Sequence, residues 1–66
     1  MKIGFIGLGN VGGKLAGSLI RNGHDVTVRD LDAALVAEYV SRGAKEAASP
    51  AALGEAVDVI ITCLPS

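Results

Sequence analysis

Four glycines fall within seven residues, Gly7, Gly9, Gly12 and Gly13, directly after the apolar stretch that opens the chain. Glycine weakens strands and helices alike, so such a cluster at a junction needs a reason. Gly7, Gly9 and Gly12 have the spacing G-x-G-x-x-G, and a carboxylate, Asp30, follows about 20 residues further on. Each glycine has a separate use in that pattern. Gly7 allows a tight turn off a strand, Gly9 lets a diphosphate touch the main chain, and Gly12 lets the following helix pack close to the sheet. Leu8 lies between the first two, inside the same turn. A helix starting here points its free N–H groups and positive dipole end at the phosphates. Asp30 then accepts hydrogen bonds from ribose hydroxyls, and its charge repels a 2′-phosphate. The alternative is a tight turn without a ligand, with Asp30 merely facing solvent.

Few other groups can do chemistry. Cys63 is the single cysteine and His24 the single histidine, so no internal disulfide and no zinc-type ligand cluster can be drawn. Cys63 has no basic neighbour and reads as a packing residue. His24 follows Gly23 in a turn and is expected at the surface. Lys14 and Lys45 are expected to be solvated. No residue qualifies as a catalytic acid, base or nucleophile, and none as a metal ligand.

The elements that must position the glycines follow from hydrophobic spacing. Residues 2–8 read as a strand, apolar on both faces as a buried parallel strand requires. A helix is predicted over 11–22, with Val11, Leu15, Leu19 and Ile20 as its inward stripe and Gly23 as its C-terminal stop. Residues 24–30 form the second strand. Leu31 and Val36 flank Asp32 as a hydrophobic staple around an N-cap, which opens a helix with Val36, Tyr39 and Val40 inward, Glu38 and Arg42 outward, and Gly43 at its end. Residues 44–47 make a weak strand. Ser49-Pro50 starts a brief helix to residue 56, and residues 57–64 form a strand buried on both faces that Pro65 stops. The order β-α-β-α-β-α-β implies an α/β fold: a Rossmann-type, doubly wound parallel sheet with right-handed crossovers and strand order 3-2-1-4. The fourth strand lies at an edge, and an isolated apolar edge invites association.

Composition bounds the rest. A chain of 66 residues buries only about 60% of the surface its unfolded form exposes. Half its residues are hydrophobic and its mean hydropathy is +0.47, more apolar content than so small a domain needs for itself. The mismatch leads us to expect an N-terminal fragment, residues 1–66, of a dinucleotide-binding domain whose substrate domain lies elsewhere. The net charge of −1 is spread over six basic and seven acidic residues, and the aromatics are only Phe5 and Tyr39, so nucleic-acid binding has little support. No run approaches the roughly 20 apolar residues of a membrane span, and glycines interrupt the signal-peptide-like start. A cytoplasmic location is the default expectation.

With Leu31 after Asp30, where an NADP user often carries arginine, NAD is favoured as cofactor over NADP. Arg29, on the other side, should point away by strand alternation, although a twisted strand end would let it reach a 2′-phosphate.

The stretches GFIGLGNVG, LAGSL, GHDVTVRD, Ser49-Pro50 and DVIITCLP together resemble the N-terminal domain of the β-hydroxyacid dehydrogenases. That family includes 3-hydroxyisobutyrate dehydrogenase, tartronate semialdehyde reductase and 6-phosphogluconate dehydrogenase. The similarity covers the whole chain. Departures are mild: Val11, Leu15 and Cys63 stand where the family usually has methionine, and Ser18 where it has asparagine. The resemblance implies that Asn10 and Val11 offer backbone N–H groups to the diphosphate. It also implies that Cys63, Leu64 and Pro65 form a loop beside the ribose on the nicotinamide side, although Leu64-Pro65 reads equally as a simple strand stop. The family's catalytic lysine has no counterpart here.

The resulting expectation is the NAD-binding part of an oxidoreductase that moves a hydride between nicotinamide and a small 3-hydroxy acid, a homo-oligomer when full length. Two alternatives stay open. One is a non-enzymatic module that senses NAD(P) or serves interaction. The other is a nucleotide-sugar dehydrogenase, whose longer stretch before the proline loop the short gap over residues 31–56 disfavours.

Overall fold

A computed structural model describes residues 1–63, with the backbone alone at Asn10. Seven elements alternate along them: β1 (Lys2–Ile6), α1 (Asn10–Arg21), β2 (Asp25–Arg29), α2 (Ala33–Ser41), β3 (Lys45–Glu46), α3 (Pro50–Ala56) and β4 (Val59–Thr62). All strand pairs are parallel and the sheet order is β3-β2-β1-β4, as expected from the alternation. Register places Ile3 opposite Val26 and Val59, and Phe5 opposite Val28 and Ile61. Side chains alternate across a strand, so these residues share one face.

α1 and α2 cover that face. Ala16, Val36 and Tyr39 join Ile3, Phe5, Val26, Val28 and Leu8 in one buried cluster, with Leu19, Ile20, Leu35 and Ile61 packed at its margin. α3 covers the opposite face, where Leu53 is fully buried against Gly4; a Cβ at Gly4 would stand only 2.7 Å from the Leu53 side chain.

The helix ends follow local chemistry. Asp32 caps α2 by accepting from the Ala34 and Leu35 amides, and Ser49 caps α3 by accepting from the Ala52 amide. α1 and α2 both end in a Schellman pattern. His24 donates to the Leu19 carbonyl and Gly23 to that of Ile20, while Ala44 donates to Tyr39 and Gly43 to Val40. His24 is exposed, and Glu38 pairs with Arg42 on the outside of α2 at 2.7 Å, both as expected.

Four expectations need correction. First, Val11 and Leu15 do not face inward: they are 74% and 41% exposed. The inner face of α1 is instead Gly12, Gly13, Ala16 and Gly17, because small residues let the helix lie close, and only Leu19 and Ile20 of the expected stripe pack inward. Second, the staple does not form. The Asp30 carboxylate accepts from the Asp32 amide, a turn that throws Leu31 outward until it is fully exposed. Third, β4 is not buried on both faces, because it ends the sheet order and leaves Val59 and Ile60 over two-fifths exposed on opposite faces; Val40 on α2 is similarly exposed. Fourth, every strand is shorter than expected. β1 stops at Ile6 because Gly7 turns to φ +95°, and β3 keeps only Lys45–Glu46 between the buried Ala44 and Ala47.

Candidate functional site

The carboxyl ends of β1 and β4 meet where the strand order reverses, the position at which open α/β sheets take their ligands. Gly7 leaves β1 there with φ +95°, a conformation side chains avoid, and a Cβ on it would strike the Cys63 carbonyl oxygen. Cys63 leaves β4 beside it, half-buried, its amide donating to the Ile6 carbonyl at 2.9 Å. Gly12, on the first turn of α1, packs against both. A Cβ on Gly12 would stand 2.6 Å from the Gly7 oxygen and 2.8 Å from the Cys63 Cβ. Gly7 and Gly12 are therefore required by the protein's own backbone.

Gly9 is different. Its backbone (φ −61°, ψ −167°) is extended, and among the described residues nothing lies within 4 Å of where its Cβ would be. Gly9 precedes α1 as N-cap and, having no side chain, leaves the helix uncapped, while no acidic residue occupies the first turn. Its carbonyl accepts from the Gly13 amide at 2.7 Å, starting the helical ladder. By helix geometry the earlier amides, those of Asn10, Val11 and Gly12, have no partner within the helix and carry its positive end. α2 and α3 both spend a side chain on the same task; α1 does not.

Asp30 stands at the end of β2 beside the turn. One carboxylate oxygen accepts from the Leu8 amide at 2.7 Å and the other from the Asp32 amide at 2.8 Å. A carboxylate has about four lone-pair sites, so room for hydroxyl donors remains. Arg29 is turned toward the β3 side, where its Nη1 donates to the Ala48 carbonyl at 2.9 Å and approaches that of Ala47 at 3.4 Å. A hollow of about 310 Å³ opens between α1 and α2, lined by Leu8, Gly9, Gly13, Lys14, Leu35 and Tyr39.

The structure thus brings Gly7, Leu8, Gly9, Gly12, Asp30 and Cys63 to one edge, with the backbone of Asn10 and Val11 at the helix tip. The Val11 side chain points to solvent. Leu64 and Pro65 lie outside the described residues. Among the described residues no group of three or more His, Cys, Asp or Glu could hold a metal ion. Two features escaped the sequence reading. The amide link from Leu8 to Asp30 has no signature in residue types, since any residue but proline supplies an N–H. Gly13 did leave one: it is a fourth glycine beyond the motif, and it is needed because a Cβ there would collide with the Tyr39 hydroxyl and stand 2.9 Å from the Leu8 carbonyl.

Comparison with known proteins agrees with this geometry. The family model of the NAD binding domain of 6-phosphogluconate dehydrogenase matches residues 2–66. A probable mitochondrial 3-hydroxyisobutyrate dehydrogenase of Dictyostelium discoideum is 45% identical over 64 residues, 97% of this chain and 20% of the relative. A 3-sulfolactaldehyde reductase of Escherichia coli K12 is 42% identical over 64 residues, 97% of this chain and 22% of the relative. Among solved structures, a reductive aminase of Aspergillus terreus in complex with NADPH and ethyl-5-oxohexanoate superposes with a TM-score of 0.88 at 35% identity, over 96% of this chain and 22% of that one. The chain spans about a fifth of the length of the curated relatives it matches.

Proposed function

Because the chain belongs to the family of NAD-binding domains typified by that of 6-phosphogluconate dehydrogenase, we propose that it binds NAD across the carboxyl edge of its sheet on behalf of a longer dehydrogenase. The observation that carries this reading is Gly9. Among the described residues neither its dihedrals nor any neighbouring atom requires glycine there, and we read the bare main chain as space kept for a ligand. A diphosphate seated on the uncapped tip of α1 fills that space.

The residues divide the work. Gly9 leaves the space, and the amides of Asn10, Val11 and Gly12 donate to phosphate oxygens. Asp30 receives the adenosine ribose hydroxyls. Cys63 borders the nicotinamide side. The choice of NAD over NADP rests on the Asp30 charge, which repels a 2′-phosphate, and on the lack of a free cation beside it among the described residues. Leu31 is exposed and apolar, and the Arg29 Nη1 is engaged by the carbonyls after β3. Lys14, on the wall of the neighbouring hollow, lies on α1 rather than at the end of β2.

When bound, the cofactor supplies or receives the hydride. The residues in hand orient it and hold its charge; none of them acts as acid or base. We assign the partner substrate to the small 3-hydroxy acids, on the strength of the similarity to 3-hydroxyisobutyrate dehydrogenases, and place residues 1–66 as the N-terminal part of the cofactor domain. Fluorescence titration with NADH and NADPH tests the reading. NADH should bind more tightly; equal affinity or a preference for NADPH would remove the role given to Asp30, and failure of both to bind would remove the function.

A further inference from the structure

We propose that Asp30 is also a positioning residue: its carboxylate braces the glycine turn, so that recognition of the ribose and seating of the diphosphate are coupled through one side chain. The inference rests on the dinucleotide reading above and goes beyond the usual hydroxyl contact.

Two successive amides of the turn are tied to two successive residues at the end of β2. The Gly7 amide donates to the Arg29 carbonyl at 2.9 Å, which continues the ladder, and the Leu8 amide donates to the Asp30 carboxylate at 2.7 Å, which replaces the ladder where the chain leaves it. The second tie is short and charge-assisted, the stronger kind of hydrogen bond. It fixes the peptide between Gly7, at φ +95°, and Leu8, whose side chain is only 2% exposed in the core below. The next residue is Gly9, whose carbonyl receives the Gly13 amide and so sets the first turn of α1. A line of bonds therefore runs from the Asp30 carboxylate through Leu8 and Gly9 to the helix tip. The other carboxylate oxygen, on the Asp32 amide, anchors the brace at the start of α2. The carboxylate is held from both sides before any ligand arrives, and its remaining lone pairs are aimed by those two bonds.

Asparagine cannot make both bonds at once but can keep the one to Leu8, whereas alanine makes neither. An amide offers one oxygen, and its NH₂ would face either the Leu8 or the Asp32 N–H as donor against donor. The brace is thus separable from hydroxyl recognition by a double-mutant cycle. The two ligands are NADH and its analogue with 2′,3′-dideoxyadenosine, which has no ribose hydroxyls for Asp30 to read; the two proteins are the unsubstituted chain and Asp30→Ala.

If Asp30 only reads hydroxyls, Asp30→Ala leaves the affinity for the analogue unchanged, or raises it by removing a negative charge near the phosphates. If it braces the turn, the analogue also loses affinity, by about tenfold or more for one lost charge-assisted bond. Unchanged or improved analogue binding overturns the brace while leaving NADH binding by the unsubstituted protein, and hence the function, intact. Should the unsubstituted protein bind neither ligand, the function itself fails. A measurement independent of ligand and substitution decides the brace in that case, or if the variant does not fold. In the unsubstituted protein the Leu8 amide should exchange slowly with deuterated water although it lies in an irregular turn, and fast exchange overturns the proposal.

Discussion

Three glycines of one motif answer to three different causes, and substitution separates them. Gly7→Ala forces a side chain into a positive-φ backbone against the Cys63 carbonyl, and Gly12→Ala drives a methyl into the Gly7 oxygen and the Cys63 side chain. Each should lower stability by about 1–3 kcal/mol, the usual cost of overpacking, with Gly7→Ala at the upper end because backbone strain adds to it. Gly9→Ala meets nothing among the described residues. Its loss of unfolded-chain entropy and its poorer N-cap oppose each other, so the change should stay within about 1 kcal/mol. Thermal melts of the three variants check the ranking, with Gly9→Ala closest to the unsubstituted protein. At this scale the sequence was legible in the placement of the motif glycines and Asp30 at one edge of the sheet, because spacing and side-chain type carry both. The Leu8–Asp30 bond and the anchoring of Arg29 on the Ala47 and Ala48 carbonyls were not legible, because each uses a backbone group that nearly every residue owns.

Among the elements, helix starts and stops were the most readable features. Asp32, Ser49-Pro50, Gly23 and Gly43 all sit where their chemistry puts them, since caps depend on one or two local residues. Ser49→Ala removes the acceptor of the Ala52 amide and should cost about 1 kcal/mol, read as a lower denaturation midpoint with an unchanged slope. The inner face of α1 was the least readable. Apolar periodicity points to Val11 and Leu15, whereas the buried side is glycine and alanine. Close approach, rather than apolar area, decides which side of this helix faces the sheet: the Tyr39 hydroxyl already occupies the place of a Gly13 side chain. The same close packing holds the helix tip against β1 and β4, where the proposed ligand site needs it. Leu31 misled for a related reason, since the Asp30 carboxylate spends its second oxygen on the Asp32 amide and turns the chain outward.

For the molecule as a whole, alternation of elements was enough to give the parallel sheet and its order, because crossover handedness leaves few arrangements. What alternation cannot give is how well each strand is covered. Among the described residues β4 has a hydrogen-bonded neighbour only in β1, and its Val59 and Ile60 remain over two-fifths exposed on the two faces. An apolar edge strand of this kind templates pairing with another chain. The 66-residue chain should therefore associate as its concentration rises, and Ile60→Lys should shift sedimentation toward monomer without unfolding the protein, since a charged edge residue blunts pairing. Sedimentation that is independent of concentration would show that the edge is not sticky.

The central claim is that the uncapped tip of α1, cleared by Gly9 and flanked by Asp30, is where the dinucleotide's diphosphate rests. Amide resonances followed during NADH titration test it most directly. The expected result is that the largest shifts fall on Gly9, Asn10, Val11 and Gly12, with smaller ones at Leu8, Asp30 and Cys63. Shifts centred elsewhere, for example on the exposed faces of β4, with the α1 tip unmoved, would contradict it.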